Sequence, residues 1–224
     1  NMTFDFAYMM EILPDLLGYL PITLYLTLAS MAIAVIIGGL FSVVLVNKVP
    51  VLTQIIQVIM SFFRGTPPIV QLLLIYFGLP QILPIATGMS AETASILTFS
   101  LNTAAYLAEV FRAALVSVDE GQVEAAMTVG LTYGQTLRGI ILPQAVRNAI
   151  PGTGNTFVGL LKNSSLAFTI GVVELLAQGK LFASNSLKFF EAYFAVALIY
   201  WALTILYSLL QNWYEKRLAV PYTR

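Results

Sequence analysis

The chain has 224 residues, 58% of them hydrophobic and only 10% charged, with a mean hydropathy of +0.85, so its apolar runs exceed what a soluble core needs and describe an all-α polytopic membrane protein. It contains neither cysteine nor histidine, which excludes disulfide frameworks, thiolate or imidazole metal sites, Ser-His hydrolysis and Cys proteolysis together. Its 11 basic and 11 acidic residues cancel, which leaves a nucleic-acid partner no electrostatic footprint.

Charge-free runs mark the elements in chain order. The N-terminal stretch carries Asp5, Glu11 and Asp15 and no basic residue before Lys48, the opposite of a basic signal-peptide start. The first apolar run predicts a span over about 17–46, long enough at ~1.5 Å per residue to cross a hydrocarbon core of ~30 Å. A second span, about 52–79, holds Arg64 as its one charge and is interrupted at "RGTPP", because Pro67 and Pro68 remove backbone donors. A third, about 91–118, is relieved near its end by Glu109 and Arg112, and "SVDEGQVE" then takes the chain out of the bilayer. Pro151 reads as the start of a fourth span, about 151–171, and a fifth follows at about 188–213. The whole chain reads as a single membrane domain with a loop at 119–150.

Five spans put the termini on opposite sides. With the N-terminus outside, Lys48, Arg112, Arg138, Arg147, Lys216, Arg217 and Arg224 fall inside, and Lys180 and Lys188 outside; the positive-inside rule selects this orientation. Asp5, Glu11, Asp15, Glu92, Glu174 and Glu191 then gather at the outer side. The loop faces the cytoplasm.

That loop contains "EAAMTVGLTYGQTLRGIILP" at 124–143. Helical spacing sets Val123, Met127 and Leu131, with Ala126 and Gly130 nearby, along one side of a short helix, and Gly130 and Gly134 punctuate or end it. Leu137, Ile140 and Ile141 begin a second apolar side before Pro143. A helix, a tight bend and another helix suit docking into a groove of another protein, with Glu124 and Arg138 orienting the contact. An amphipathic connector on the membrane surface fits the pattern equally well.

The stretch resembles the EAA motif of ABC importer permeases: Glu124, Ala125 and Ala126, then Gly130, then Ile140, Leu142 and Pro143, at the motif's spacing and with no position departing. The likeness continues in the order typical of the polar amino acid branch of that family, through "RGTPPIVQ" at 64–71, "AYLAEVFRAAL" at 105–115 and "LLKNSSLAF" at 160–168. It implies the type I ABC importer permease fold in a prokaryotic cytoplasmic membrane. It implies that residues near 121–134, with Leu131, Arg138 and Pro143, form a coupling helix seated in an ATP-binding subunit. No P-loop is present, so ATP and Mg²⁺ belong to that separate ATPase subunit, and this chain needs no cofactor of its own. Two copies, or one copy and a related permease chain, would enclose the path. An extracytoplasmic solute-binding protein would deliver a polar, including basic, amino acid.

Polar residues within spans are the candidates for that path. Arg64 has two uses: bonding the carbonyls freed by Pro67 and Pro68, which is the favoured reading, or pairing with a cargo carboxylate or a path-lining acid. Gln71 offers donors and acceptors to the same cavity, and Asn102 and Thr103 suit interhelical hydrogen bonds. Glu109 and Arg112 pair on one helix face as a structural or gating element. In the fourth span Gly152, Thr156 and Gly159 suit close packing, while Asn155, Lys162, Asn163, Ser164 and Ser165 concentrate polarity, and the family likeness makes this the path-lining helix. Glu174 and Gln178 are placed to receive cargo. Tyr76, Phe77, Trp201, Trp213 and Tyr214 read as packing or interface anchors. Arg64 and Lys162 would attract a carboxylate, whereas the outer acids would favour a cation.

Two competing functions make different demands. A single-chain secondary transporter needs an inverted repeat, and none is visible. An intramembrane hydrolase would have to use Ser164 or Ser165 with Lys162, without a recognisable oxyanion hole.

Overall fold

The computed structural model describes residues 4–219, side chains through Arg217; Arg224, counted above among the inner basic residues, lies outside them. Eleven α-helices follow one another, with no strand among the described residues. Helix α1 (Phe6–Gly18) is capped by Asp5, whose side chain accepts from the Tyr8 amide, and buries Met9, Ile12 and Leu16. Its apolar pattern is broken by Glu11, Pro14 and Asp15, so the sequence does not mark it as a helix. Tyr19 separates it from α2 (Leu20–Val46), so the first span begins at Leu20 rather than 17.

The second apolar region is α3 (Leu52–Gly65), then α4 (Pro68–Leu73), a π-turn (Leu74–Gly78) and α5 (Leu79–Ile82). The chain breaks at the predicted prolines, but the two arms are bent by 110°. They form a broken or re-entrant pair, not one interrupted rod. Helix α6 (Ala91–Val116) is capped by Ser90, which accepts from the Thr93 amide.

After α7 (Glu120–Thr128) and α8 (Tyr133–Thr136), a π-turn (Leu137–Ile141) leads straight into α9 (Leu142–Asn163) and a 3-10 turn (Ser164–Ile170). Pro151 is therefore inside a helix, a correction to its reading as a helix start; membrane helices tolerate interior proline because neighbours stabilise the local backbone. Gly134 likewise lies inside α8 and does not end a helix. The loop expected at 119–150 is largely helical, its second half already part of the next span. The spacing Leu137, Ile141, Ala145, Ala149 was the overlooked signal, a stripe at intervals of four. Helix α10 (Leu175–Ser186) was also not expected, and α11 (Phe189–Ala219) runs past 213.

Three helices, α2, α6 and α11, are each long and apolar enough to cross a membrane, and two bent pairs raise the number to five. Their directions follow from contacts. Helices α2 and α6 run parallel: the Ser30 hydroxyl donates to Ile96 O, and further on a side chain at Gly38 would meet Leu107, Ala104 and Ala108. Helix α9 runs the other way, with Ala145 and Ala149 on Ala114 and Val118, and Gly152 against Val110. Helix α11 reverses again: Phe157 stacks on Tyr207 with centroids 4.4 Å apart, and Gln211 donates to Pro151 O.

One end of the bundle thus collects the 47–51 turn, α7, α8 and the end of α11, with Lys48, Arg112, Arg138, Arg147, Lys216 and Arg217. The other collects the starts of α1, α6 and α11, where Lys188 Nζ meets Asp5 Oδ2 at 2.7 Å.

Candidate functional site

The loop helix α7 is built to stop at one place. Gly130 takes φ +92, and around it the Leu131 amide donates to Ala126 O at 3.1 Å and the Gly130 amide to Met127 O at 3.0 Å. This pair of bonds is the Schellman ending, which needs a left-handed residue and therefore favours glycine. Directly after it, Thr132 and Gln135 form a reciprocal capping box that starts α8. The bend is specified from both sides, with no freely hinged residue between.

Pro143 has a comparable local reason. A proline lacks its N–H, and its ring crowds the carbonyl four residues earlier; the π-turn Leu137–Ile141, closed by the Leu142 amide on Leu137 O, widens the helix just before it. The same device recurs at Pro80, where the π-turn Leu74–Gly78 closes with the Leu79 amide on Leu74 O. Leu-Pro after a π-turn thus appears twice.

The loop is fastened to two spans. Val118, Ile141, Ala114, Ala145 and Ala149 form a buried cluster, and Val123 of α7 packs on it with Leu137. Gln144 Nε2 donates to Gln122 Oε1 at 2.7 Å, and Asn148 Nδ2 to Ser117 Oγ at 2.8 Å. A force on α7 therefore reaches α6 and α9 together. The predicted apolar side divides: Ala126 is 5% exposed, whereas Met127 is 54% and Val129 79% exposed. Glu124, Ala125, Gly130, Leu131, Arg138 and Pro143 are exposed as well. Inward residues hold the loop, and outward ones form an unpartnered apolar tip with Glu124 and Arg138 at hand.

The break in the second span is closed by amides. Gln71 Nε2 donates to Phe63 O at 2.9 Å, Thr66 O at 3.0 Å and Thr66 Oγ1 at 2.8 Å. Asn102 Nδ2 reaches from α6 to Phe63 O at 2.9 Å and Gln71 Oε1 at 3.0 Å. This corrects two expectations. Gln71 is buried and does not face a cavity, and the freed carbonyls are served by Gln71 and Asn102 rather than by Arg64.

Arg64 instead sits with its guanidinium 5.7 Å from the Tyr106 ring centroid. Both residues line a cavity of about 1110 Å³ between α3 and α6, together with Lys48, Gln57, Ser61, Glu109 and Arg112. The expected Glu109–Arg112 pair is present, Arg112 Nε donating to Glu109 Oε2 at 3.1 Å with a second bond from the guanidinium to Oε1. Arg64 and the Glu109–Arg112 pair, far apart in sequence, are brought to one open space.

The remaining candidates scatter. On α9, Asn155 and Lys162 are exposed two turns apart and Asn163 is half-buried; Ser164, opening the 3-10 turn, is buried with its hydroxyl donating to Leu161 O at 2.7 Å. Ser165 donates to Lys162 O; neither serine hydroxyl bonds the Lys162 ammonium, so no Ser-Lys pair is assembled. Gly152 packs on Val110, but Gly159 has nothing within 4 Å, and Gly154, which meets Gln211, takes the second close approach instead. Glu174, expected to receive cargo, is 0% exposed. Its oxygens accept from the Leu176 and Ala177 amides and the Tyr200 hydroxyl at 2.9, 2.8 and 3.0 Å. Capping the start of α10 is its physical role.

Comparison with known proteins places the chain among relatives of one kind. The family model described as "Binding-protein-dependent transport system inner membrane component" matches residues 30–220. The chain is 56% identical over 220 residues to the probable amino-acid permease protein YxeN of Bacillus subtilis (strain 168), covering 98% of each. It is 45% identical over 223 residues to the probable amino-acid ABC transporter permease protein PatM of Vibrio harveyi, covering 100% of each. A crystal structure of an amino acid ABC transporter with histidines superposes with a TM-score of 0.88 at 35% identity, over 96% of this chain and 100% of that chain.

Proposed function

The chain belongs to the family of binding-protein-dependent transport system inner membrane components, transport subunits of ABC transporters rather than enzymes, and on that premise we propose that it carries polar amino acids into the cell. Relatives named as amino-acid permeases support the cargo class. The observation that carries the mechanism is the double fastening of α7: Val123 is packed on a cluster shared by α6 and α9, while Met127 and Val129 stay exposed.

In this reading the tip of α7 seats in a cleft of an ATP-binding subunit, which holds ATP and Mg²⁺. Nucleotide binding brings two such subunits together, and the rigid α7 passes that movement to α6 and α9. The ligand thereby shifts a two-state equilibrium between outward- and inward-open bundles. A second permease chain completes the path, and an extracytoplasmic binding protein presents the cargo. The bundle end holding Lys48, Arg112, Arg138, Arg147, Lys216 and Arg217 faces the cytoplasm by the positive-inside rule, with the start of α1 outside.

The test is co-expression with the ATP-binding subunit, purification through a tag on this chain, and reconstitution with the binding protein. ATPase activity stimulated by an amino acid, in a complex retaining both subunits, is expected. Uptake that needs an ion gradient and no nucleotide-binding partner would overturn the proposal.

A further inference from the structure

The cavity between α3 and α6 carries an unbalanced charge. Glu109 and Arg112 neutralise each other. Arg64 lies over the Tyr106 face and within the field of the Glu109 carboxylate, which is already bonded to Arg112, and Lys48, at the end of α2, has no ion-pair partner among the described residues. Three cations, Lys48, Arg64 and Arg112, therefore share the single acid Glu109 in a cavity of about 1110 Å³.

Depth sharpens the point. Arg64 lies thirteen positions after Val51, roughly 20 Å along a helix at ~1.5 Å per residue, inside a hydrocarbon core of ~30 Å. A guanidinium at that depth whose one nearby acid is already bonded to Arg112 faces water or a polar ligand, not lipid. The obvious structural use, bonding the carbonyls at the proline break, is already filled by Gln71 and Asn102. The five donors of Arg64 remain available, steadied on the Tyr106 ring, in the planar fork that matches a carboxylate.

We infer that this cavity is a carboxylate-recognising station on the cargo path, with Arg64 as its anion-binding residue, and that it favours zwitterionic or acidic amino acids over those with a cationic side chain. This rests on the amino-acid import reading above. A zwitterion places its carboxylate on Arg64 and its ammonium toward the half-exposed Glu109 carboxylate and the Tyr106 ring. An arginine or lysine brings a further positive charge into a space that already holds Arg64, Lys48 and Arg112 and has no unpaired acid to offer. The outer acids do not reverse this preference: Glu174 is a buried helix cap, Asp5 is paired with Lys188, Glu191 is buried and accepts from the Asp5 amide, and Glu11, Asp15 and Glu92, though exposed, do not line this cavity.

The experiment uses the complete transporter in nanodiscs and measures binding of L-glutamine, L-glutamate, L-cystine, L-arginine and L-lysine directly, together with amino-acid stimulation of ATP hydrolysis. At least one of the first three should bind roughly tenfold or more tighter than either cationic amino acid. Arg64→Gln should weaken the preferred ligand by about 10- to 100-fold, the range for losing bonds to a charged group. Arg64→Lys, which keeps the charge but not the fork, should fall between. Wild-type co-purification of the ATP-binding subunit certifies that a variant is assembled, and Arg64→Lys supplies the answer if Arg64→Gln is not. Equal or tighter binding of the cationic amino acids, or unchanged binding in an assembled Arg64 variant, overturns the inference alone. Absence of binding and stimulation by every amino acid overturns the import reading beneath it.

Discussion

Asn102 and Gln71 meet at the break in the second span, the Asn102 amide donating to the Gln71 side-chain oxygen at 3.0 Å while both amides also bond the Phe63 carbonyl at 2.9 Å. Every side-chain hydrogen-bonding atom buried there has a partner. Removing either amide strands groups that have no water to turn to. Gln71→Leu and Asn102→Leu should each destabilise the folded chain by about 1–3 kcal/mol. The double variant should lose clearly less than the two together, because the pair forms one network. Thermal unfolding in detergent checks this, and strict additivity would show that the two amides act separately.

At Gly130 the question is whether the loop needs a backbone or a surface. Its φ of +92 disfavours an ordinary L-residue by roughly 1–2 kcal/mol, and a Cβ there would meet nothing within 4 Å in the isolated subunit. Gly130→Asn, which tolerates the left-handed conformation, should keep the ATP-binding subunit associated and hydrolysis coupled to transport. Gly130→Val should lose coupling. If Asn is as damaging as Val, the position is closed by contact with the partner and not by the turn.

The Asp5–Lys188 ion pair ties the start of α1 to the start of α11. Its bond to the Lys188 ammonium, helped by the Tyr8 amide, holds the Asp5 carboxyl below its ordinary value of 3.8, and the same bond raises Lys188 above 10.5. A depressed acid contributes stability that is present above 3.8 and lost as pH falls through its folded value; a raised lysine contributes stability that is present below 10.5 and lost as pH rises through its folded value. The pair is therefore constant across neutral pH. Asp5→Asn retains a capping oxygen for Tyr8 and removes the charge and the acceptor that face Lys188. Its unfolding temperature should lie below wild type at neutral pH and converge with it in acid below 3.8; a gap that persists there would assign the effect to the cap.

What could be read from sequence differs by element for physical reasons. The long apolar runs of α2, α6 and α11 and the break at Pro67 and Pro68 are local properties, and so were visible. The motif at 124–143 was legible because Gly130 and Pro143 answer to backbone geometry within a few residues. Arg64 and Gln71 exchanged expected roles because their partners depend on the register of α6, which brings Asn102 to one and Tyr106 to the other. Glu174 looked like a surface acid since no sequence pattern shows that Tyr200 will lie beside it. Pro151 misled because proline at a helix start is the commoner use in water, while a membrane span admits it inside.

Two adjacent glycines in α2 make the packing testable within one turn. A Cβ on Gly38 would come within 2.9 Å of Leu107 Cβ and 3.2 Å of the Ala104 carbonyl oxygen and the Ala108 amide nitrogen, so α6 lies against this position with backbone that cannot swing aside. A Cβ on Gly39 would meet nothing within 4 Å. Gly38→Ala must push two spans apart and should cost about 1–3 kcal/mol, as overpacking does. Gly39→Ala removes only the entropic penalty of glycine in a helix and should be neutral or stabilising by up to about 1 kcal/mol. Paired thermal unfolding of the two variants, with the alanine in each differing only by position, decides the matter. Equal effects would mean that α2 and α6 are not held at this distance.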